Sequence, residues 1–305
     1  MILNRILALK KSRESGVATK NNFDIIGDVH GYNKELKLLL KKLGYKKVNG
    51  IWQHSNYKAV FVGDFISRGP NSRKVLNIVE KMVKNGTGYA IMGNHELNAI
   101  GYFTKIKGKR LNKNLSHSNK KQFAIIEKEF KDDPAGLKRK IKWLRSLPPF
   151  FIRDNFRVVH AYWDDECFSI IKKRLNGNNK LLKSDYREIF LDKTLFAKAY
   201  WQIVKGADFA LNKNLIINKS NKHNGKVKWW ELKNRQLQKL YNNKAPIIFF
   251  GHYCLTSQSL IADKNICCID RCIAGNGYLA SYRISNSDRI LKSDNFTFQK
   301  KINQP

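Results

Sequence analysis

The sequence predicts an α/β fold, central β-sheets flanked by helices, and two observations carry that expectation. Apolar runs of strand length recur along the chain, and the early ones each end in glycine plus a polar residue before a segment of helical period. Residues 23–26 run into Gly27-Asp28, and a helical pattern through Leu36, Leu39, Leu40 and Leu43 follows. Residues 59–62 run into Gly63-Asp64 ahead of Val75, Leu76, Ile78, Val79 and Met82, and residues 89–92 run into Gly93-Asn94. Three such units in succession predict parallel strands with right-handed crossovers. Residues 156–159, ending at His160, and 247–250, ending at Gly251-His252, read as two further buried strands. Residues 266–269, ending at Asp270, and 278–284 supply closing strands.

Two inserts of different character interrupt this core. The first, at about 101–149, opens with a basic stretch (Lys105, Lys107, Lys109, Arg110, Lys113, Lys120, Lys121), turns helical over 123–130 and 137–147, and stops at Pro148-Pro149. The second, at about 164–244, mixes amphipathic helix signals with the pair Trp229-Trp230. Strands that end in polar residues flank both inserts, so residues 21–305 are expected to form a single domain with a helical cap. Residues 1–20 read as a basic leader with no signal-peptide pattern.

A chain of 305 residues with 42% hydrophobic content supports a sizeable core, which excludes disorder throughout. No apolar run reaches the roughly 18–20 residues that span a bilayer as a helix, which excludes an integral helical membrane protein. The formal charge of +34 makes anions the expected partners: nucleotides, phosphoproteins, nucleic acid, and non-specific polyanions in general. A residue bias of the whole genome is the alternative source of that charge. The five cysteines are an odd set without C-x-x-C spacing, which argues against a disulfide scaffold or a structural zinc site and leads us to expect a reducing, cytoplasmic home.

The polar strand ends carry the chemistry. Loops at the carboxyl ends of strands in an α/β sheet converge on one crevice, and the neighbouring glycines let backbone and ligand approach closely. Asp28, His30, Asp64, Asn94, His160 and His252 would then meet in a set of oxygen and imidazole donors without thiolate, which suits Mn, Fe or Zn. The inventory exceeds one ion's needs. We expect Asp28, His30 and Asp64 around a first divalent ion and Asp64, Asn94, His160 and His252 around a second, with Asp64 bridging. Two ions about 3.5–4 Å apart activate a shared water and clamp a phosphoryl group. Taken singly, Asp28 is also a candidate helix cap near Asn33, and His160 or His252 a hydrogen-bonded core histidine.

The strings Gly27-Asp28-Val29-His30-Gly31, Gly63-Asp64-Phe65-Ile66-Ser67-Arg68-Gly69-Pro70 and Gly93-Asn94-His95-Glu96 resemble the calcineurin-like metallophosphoesterases. Within them the chain resembles the phosphoprotein phosphatase branch that includes bacterial symmetrical diadenosine tetraphosphatases. The resemblance continues in Trp143-Leu144-Arg145-Ser146-Leu147-Pro148, Phe250-Gly251-His252 and Ile269-Asp270. It implies the calcineurin-like fold, the same six metal ligands, two divalent ions with Mn first, and in-line attack by a metal-bridging hydroxide. It further implies that His95 protonates the leaving oxygen and that Arg68, with Asn94 and His95, holds the phosphate. Protein phosphatases of the branch usually carry Asp where Ser67 stands, whereas diadenosine tetraphosphatases have a small residue, so Ser67 favours a nucleotide substrate, with its hydroxyl as a weak orienter of His95.

The expected function is therefore hydrolysis of phosphoric esters or anhydrides, first of a nucleotide such as diadenosine tetraphosphate. The alternatives are a Ser/Thr or Tyr protein phosphatase and an RNA 5′-end hydrolase. A nucleic-acid-binding protein with a vestigial metal site is disfavoured by the full ligand set. Lys109, Arg110 and Lys113 are candidates to grip a polyphosphate, and Trp229-Trp230 to stack a base, against the alternatives of a solvated loop and core packing. His54, His117 and His223 read as surface residues.

Overall fold

The computed structural model describes residues 22–112, 115–206, 222–223, 225–232, 241–256 and 259–302; the leader lies outside them. In chain order the strands are β1 (Asn22–Ile26), β2 (Lys46–Val48), β3 (Ile51–Gln53), β4 (Tyr57–Phe61), β5 (Gly88–Ala90), β6 (Lys105–Ile106), β7 (Lys109–Arg110) and β8 (Phe150–Ile152). There follow β9 (Phe156–Val159), β10 (Lys222–His223), β11 (Lys226–Val227), β12 (Ile247–Phe250), β13 (Ile261–Asp263), β14 (Ile266–Cys268), β15 (Tyr278–Ile284) and β16 (Phe296–Lys300). The helices are α1 (Asn33–Lys42), α2 (Ser72–Lys84), α3 (Asn94–Phe103), α4 (His117–Glu129), α5 (Pro134–Leu144), α6 (Asp165–Lys172), α7 (Lys183–Leu191) and α8 (Leu195–Lys205).

Two five-stranded sheets face one another. The first has the order β16-β15-β1-β4-β5, with β1, β4 and β5 parallel as the repeated strand–helix units predict and β15 antiparallel to β1. The second has the order β13-β14-β12-β9-β8, in which β9, β12 and β14 run parallel. Aromatic rings bridge the two: Phe23 of β1 meets Phe156 of β9 at 5.4 Å, and Phe249 of β12 meets Tyr282 of β15 at 5.1 Å. Because Ile25, Val60, Phe61 and Ile248 are wholly buried, these strands lack the polar alternation of a half-exposed sheet, and they read as continuous apolar runs. Helix α1 buries Leu36, Leu39 and Leu40 on one stripe, and α2 buries Val75, Leu76, Val79 and Met82. The Asn71 side chain accepts from Lys74 N and caps α2.

The inserts differ in detail from the sequence reading. The strand expected over 89–92 is β5, which ends at Ala90, and Met92 N donates to Pro148 O beyond the sheet. Helix α3 runs through Gly101 to Phe103, so the first insert leaves the core there and then forms the β6–β7 hairpin, α4 and α5. The second insert supplies α6, α7 and α8, which pack on one another, and the β10–β11 hairpin.

The expectation against disulfides fails for one pair. Cys254 and Cys272 are bonded, with Cα atoms 4.3 Å apart, because β12 and β14 lie side by side and the loops after them meet. Cys167, Cys267 and Cys268 are free and buried.

Candidate metal centre

The parallel strands deliver their polar ends to one crevice. Asp28 and His30 follow β1, Asp64 follows β4, Asn94 opens α3 after β5, His160 follows β9, and His252 follows β12. Backbone bonds tie the loops together: Val29 N and His30 N donate to Asp64 O at 3.1 and 2.8 Å, and Gly251 N donates to His160 O at 2.8 Å. Five of these side chains are buried and Asn94 is half-buried. Three of the six, His30, Asp64 and His252, take left-handed φ of 47°, 51° and 73°, as do Ser67 and Arg68 at 72° and 65°. Non-glycine residues adopt that region at a cost of about 1–3 kcal/mol each and do so mostly at functional sites. A Cβ at Gly251 would collide with Asp28 Oδ1, so only glycine lets the His252 loop lie against that carboxylate.

Asp64 is central. Its Oδ1 lies 3.4 Å from His160 Nε2, and its Oδ2 lies 3.7 Å from His30 Nε2 and 3.9 Å from His95 Nε2. Asp28 Oδ2 lies 3.9 Å from His30 Nε2 and accepts from His252 N at 3.0 Å. Asn94 Oδ1 sits 3.0 Å from His160 Nε2 and 2.8 Å from His252 Nδ1. Two ligand groups share Asp64, namely His30-Asp64-His95 and Asp64-His160-His252, with donor atoms in each within 4.8 Å of one another. All six residues of the expected ligand set thus come together, with His95 beside them. Asp28 does not cap α1, whose N-cap is Tyr32.

The donor set suits divalent cations. Asp28 Oδ1 is buried with no hydrogen-bond partner among the described residues. His160 Nδ1–H donates to Val62 O at 2.8 Å, a tautomer that turns the Nε2 lone pair toward the centre. Burial, then the Asp270 carboxylate, pushes Asp28 well above the usual carboxylate range. Burial also works against ionising Asp64, yet His160, His95 and His30 hold it well below its ordinary value. His160 is disfavoured as a cation by burial, but Asp64 and then Asp28 raise it to about 9. Burial sets His30 and His252 well below a normal histidine, and it lowers His95 to about 4 against the pull of Asp64. Carboxylates crowded in a dry crevice repel each other, and a cation relieves that repulsion.

Arg68 is exposed, with no ion pair among the described residues, and its charge helps lower His30 and His95. The weak Ser67–His95 link does not form: Ser67 Oγ and His95 Nδ1 are both buried without hydrogen-bond partners among the described residues. Arg110 folds back, its guanidinium 3.4 Å from the Tyr102 ring centroid and bonded to Tyr102 O at 2.8 Å; Lys113 lies outside the described residues. Trp229 is a core residue that donates to Ala161 O at 2.9 Å and packs on Phe250, while Trp230 is half-buried against Tyr253. His54 is half-buried in the turn before β4, where its Nδ1 accepts from Asn56 N and Tyr57 N; His117 is exposed, and the side chain of His223 lies outside the description.

Three charged residues at the centre were given no role in the sequence reading. Glu96, wholly buried, accepts backbone N–H bonds from Asp64 at 2.7 Å, Phe65 at 2.8 Å, Gly93 at 3.2 Å and Ile66 at 3.3 Å, so it joins the Asp64 loop to the start of α3. Asp270 accepts from Cys254 N at 2.6 Å and Cys272 N at 2.9 Å and so fixes the loop after His252. Lys226 of β11 donates to His252 O, and its charge lowers His95 and His252. The Gly-Asn-His-Glu string held a signal for Glu96, since a glutamate three residues into a helix reaches back to its start. Lys226 carried no signal, being one lysine of many in a basic insert. Glu96→Gln leaves one acceptor oxygen and turns an amide N–H₂ toward backbone donors. We expect metal affinity to fall about 10- to 100-fold, as for lost outer-shell partners. Chelator competition checks this, and unchanged affinity would remove Glu96 from the centre's support.

Comparison with known proteins agrees with this geometry. The family profile described as calcineurin-like phosphoesterase matches residues 22–268. A protein of Oceanobacillus iheyensis named an asymmetrical bis(5′-nucleosyl)-tetraphosphatase is 38% identical over 141 residues, covering 46% of this chain and 54% of that one. A protein of Buchnera aphidicola subsp. Baizongia pistaciae named a symmetrical bis(5′-nucleosyl)-tetraphosphatase is 24% identical over 294 residues, covering 86% of this chain and 94% of its own. The match to the Oceanobacillus relative thus spans about half of that protein's length. Among solved structures, a protein serine/threonine phosphatase from Saccharomyces cerevisiae shares the fold with a TM-score of 0.55 at 13% identity, over 94% of this chain and 82% of that one. The chain belongs to the calcineurin-like phosphoesterase family.

Proposed function

We propose that the chain is a metal-dependent hydrolase of phosphoric anhydrides, with a bis(5′-nucleosyl) tetraphosphate as the first substrate to test. The observation that carries the reading is the convergence of Asp28, His30, Asp64, Asn94, His160 and His252 around one shared carboxylate, with Arg68 exposed beside it. Two divalent ions held by these residues, manganese first, would supply the charge that polarises a phosphoryl group and activates water. Asp64 would serve both ions, and Glu96 would keep its loop in place. Arg68 would bind two phosphate oxygens through its planar guanidinium, and Lys226, at the carbonyl of His252, supplies a second positive charge near the crevice. His95 would hold the proton destined for the leaving oxygen, and an arriving anionic phosphate favours the protonated ring over the neutral one.

The substrate class rests on the surroundings of His95 and on the relatives. Among the described residues no carboxylate backs His95 Nδ1, so it is a weakly supported acid, suited to a leaving group that needs little help, such as a nucleotide. The two tetraphosphatase relatives point the same way. We place the reaction in the cytoplasm, on the strength of a nucleotide substrate and no longer of the cysteine content.

Chromatography of products after incubating manganese-loaded protein with diadenosine tetraphosphate tests the reading, with Asp64→Asn as the control. ADP alone, missing with the variant, is the expected result and marks symmetrical cleavage. AMP with ATP would mark asymmetrical cleavage. No cleavage by protein that still hydrolyses an aryl phosphate would overturn the substrate and turn the search to phosphoproteins and RNA ends.

A further inference from the structure

Away from the metal centre, the two inserts meet at a small cavity of about 70 Å³ lined by four cationic side chains, Lys105, Arg145, Lys183 and Arg187, and by apolar ones including Ile100, Ile106 and Leu111, with no carboxylate among the described residues. Lys105 comes from the β6–β7 hairpin, Arg145 caps the C-terminus of α5, and Lys183 and Arg187 stand four residues apart on α7, which puts them on one face of that helix. None of the four makes an ion pair among the described residues. Among the described residues the only side-chain bond in the group is Arg145 Nη1 to Thr104 Oγ1 at 3.3 Å. The acids of α7 are engaged elsewhere: Asp185 and Glu188 both hold Arg174, and Asp185 also accepts from Leu182 N.

Arg73, Arg139, Arg157, Arg174 and Arg283 each have a carboxylate partner, whereas Arg145 and Arg187, like Arg68 and Arg110, have no ion pair among the described residues. Four like charges around one hollow repel each other, and a half-buried guanidinium without a counter-ion gives up hydration with little return. The missing partner is an anion. A cavity of about 70 Å³ is on the scale of a single small oxyanion. Thr104 follows α3, whose first residue, Asn94, belongs to the metal centre. Ten residues at about 1.5 Å of rise put the cavity about 15 Å from Asn94 along α3.

We propose that this cavity is a second, non-catalytic phosphate site, with Arg145 as its half-buried anchor and Lys105, Lys183 and Arg187 closing around the anion. The phosphate group comes either from free orthophosphate or from an RNA backbone, and the size of the cavity favours the free ion. The proposal stands on the cavity alone and does not depend on the metal reading.

Calorimetric titration of the full-length, manganese-loaded protein with sodium orthophosphate at physiological salt tests it. Two phosphate sites are expected. Lys183→Gln/Arg187→Gln should weaken one of them at least tenfold while hydrolysis of an aryl phosphate stays within twofold, and both residues are exposed, so folding should be unaffected. Arg145→Lys, which keeps the charge and loses the planar fork, should weaken the same site. Asp64→Asn should remove the other site and leave this one, which separates failure at the metal centre from failure here. A charge-matched control, Lys120→Gln/Lys121→Gln on α4, should change neither. Equal weakening by the control would reduce the effect to the general positive field and overturn the proposal. So would the lack of any phosphate binding by the Asp64→Asn protein. Binding of a single-stranded oligouridylate that depends on Lys183 and Arg187, without orthophosphate binding, would replace the pocket by a nucleic-acid surface.

Discussion

Asp64→Asn should lower turnover of any phosphoric ester or anhydride by at least about 10³-fold, because loss of a mere outer-shell partner at a metal site already costs about 10- to 100-fold. Asp64 touches more of the centre than any other predicted ligand: its two oxygens face His160, His30 and His95, and Oδ1 also accepts from His95 N at 3.0 Å. Asparagine keeps the size and one acceptor oxygen, so the loop should hold its left-handed turn while the negative charge is lost. Both ions should bind more weakly, which distinguishes a shared ligand from one serving a single ion. Elemental analysis beside a turnover assay decides the matter, and full occupancy with retained activity would sink the bridging role.

His95→Asn should cost about 10²- to 10⁴-fold in kcat for alkyl phosphates, the range of general acid catalysis, and far less for an aryl phosphate whose leaving oxygen needs no proton. The geometry makes this selective. His95 is fixed by its position in the first turn of α3 and by the bond from its backbone N to Asp64, neither of which the substitution removes. Its Nε2 lies 3.9 Å from Asp64 Oδ2, close enough to the centre to reach a phosphate oxygen there. An equal loss for both kinds of substrate would mean that the imidazole holds the phosphate or a metal ion instead of donating a proton. The ligand group His30-Asp64-His95 makes that second outcome a defined alternative.

Much of the site was legible because its signals are local. A buried strand must be an unbroken apolar run, and the turn that ends it needs glycine beside the polar residue it presents, so Gly27-Asp28, Gly63-Asp64 and Gly93-Asn94 announce both the strand and its functional end. The helices after them read from the spacing of Leu36, Leu39, Leu40 and of Val75, Leu76, Val79. Supporting groups are a different matter. Glu96 looks like any helix-start acid until its four backbone donors are seen, three of them from a loop 30 to 32 residues earlier. Ser67 looked able to orient His95, but a hydroxyl is too short a group for its presence in sequence to guarantee the contact.

By itself the sequence determined the parallel strand–helix units, the six polar residues at five strand ends that gather at one crevice, and the basic character of the inserts. Those features depend on short-range pattern, on the demands of burial and on composition. Tertiary structure alone decided that the strands divide into two facing sheets, that β15 returns antiparallel beside β1, and that Cys254 meets Cys272. It alone brought Lys226 to the carbonyl of His252 and set Arg145, Lys183 and Arg187 around one cavity. Each of these joins residues whose separation along the chain carries no periodicity, so the partner is chosen by the packing of whole sheets and helices.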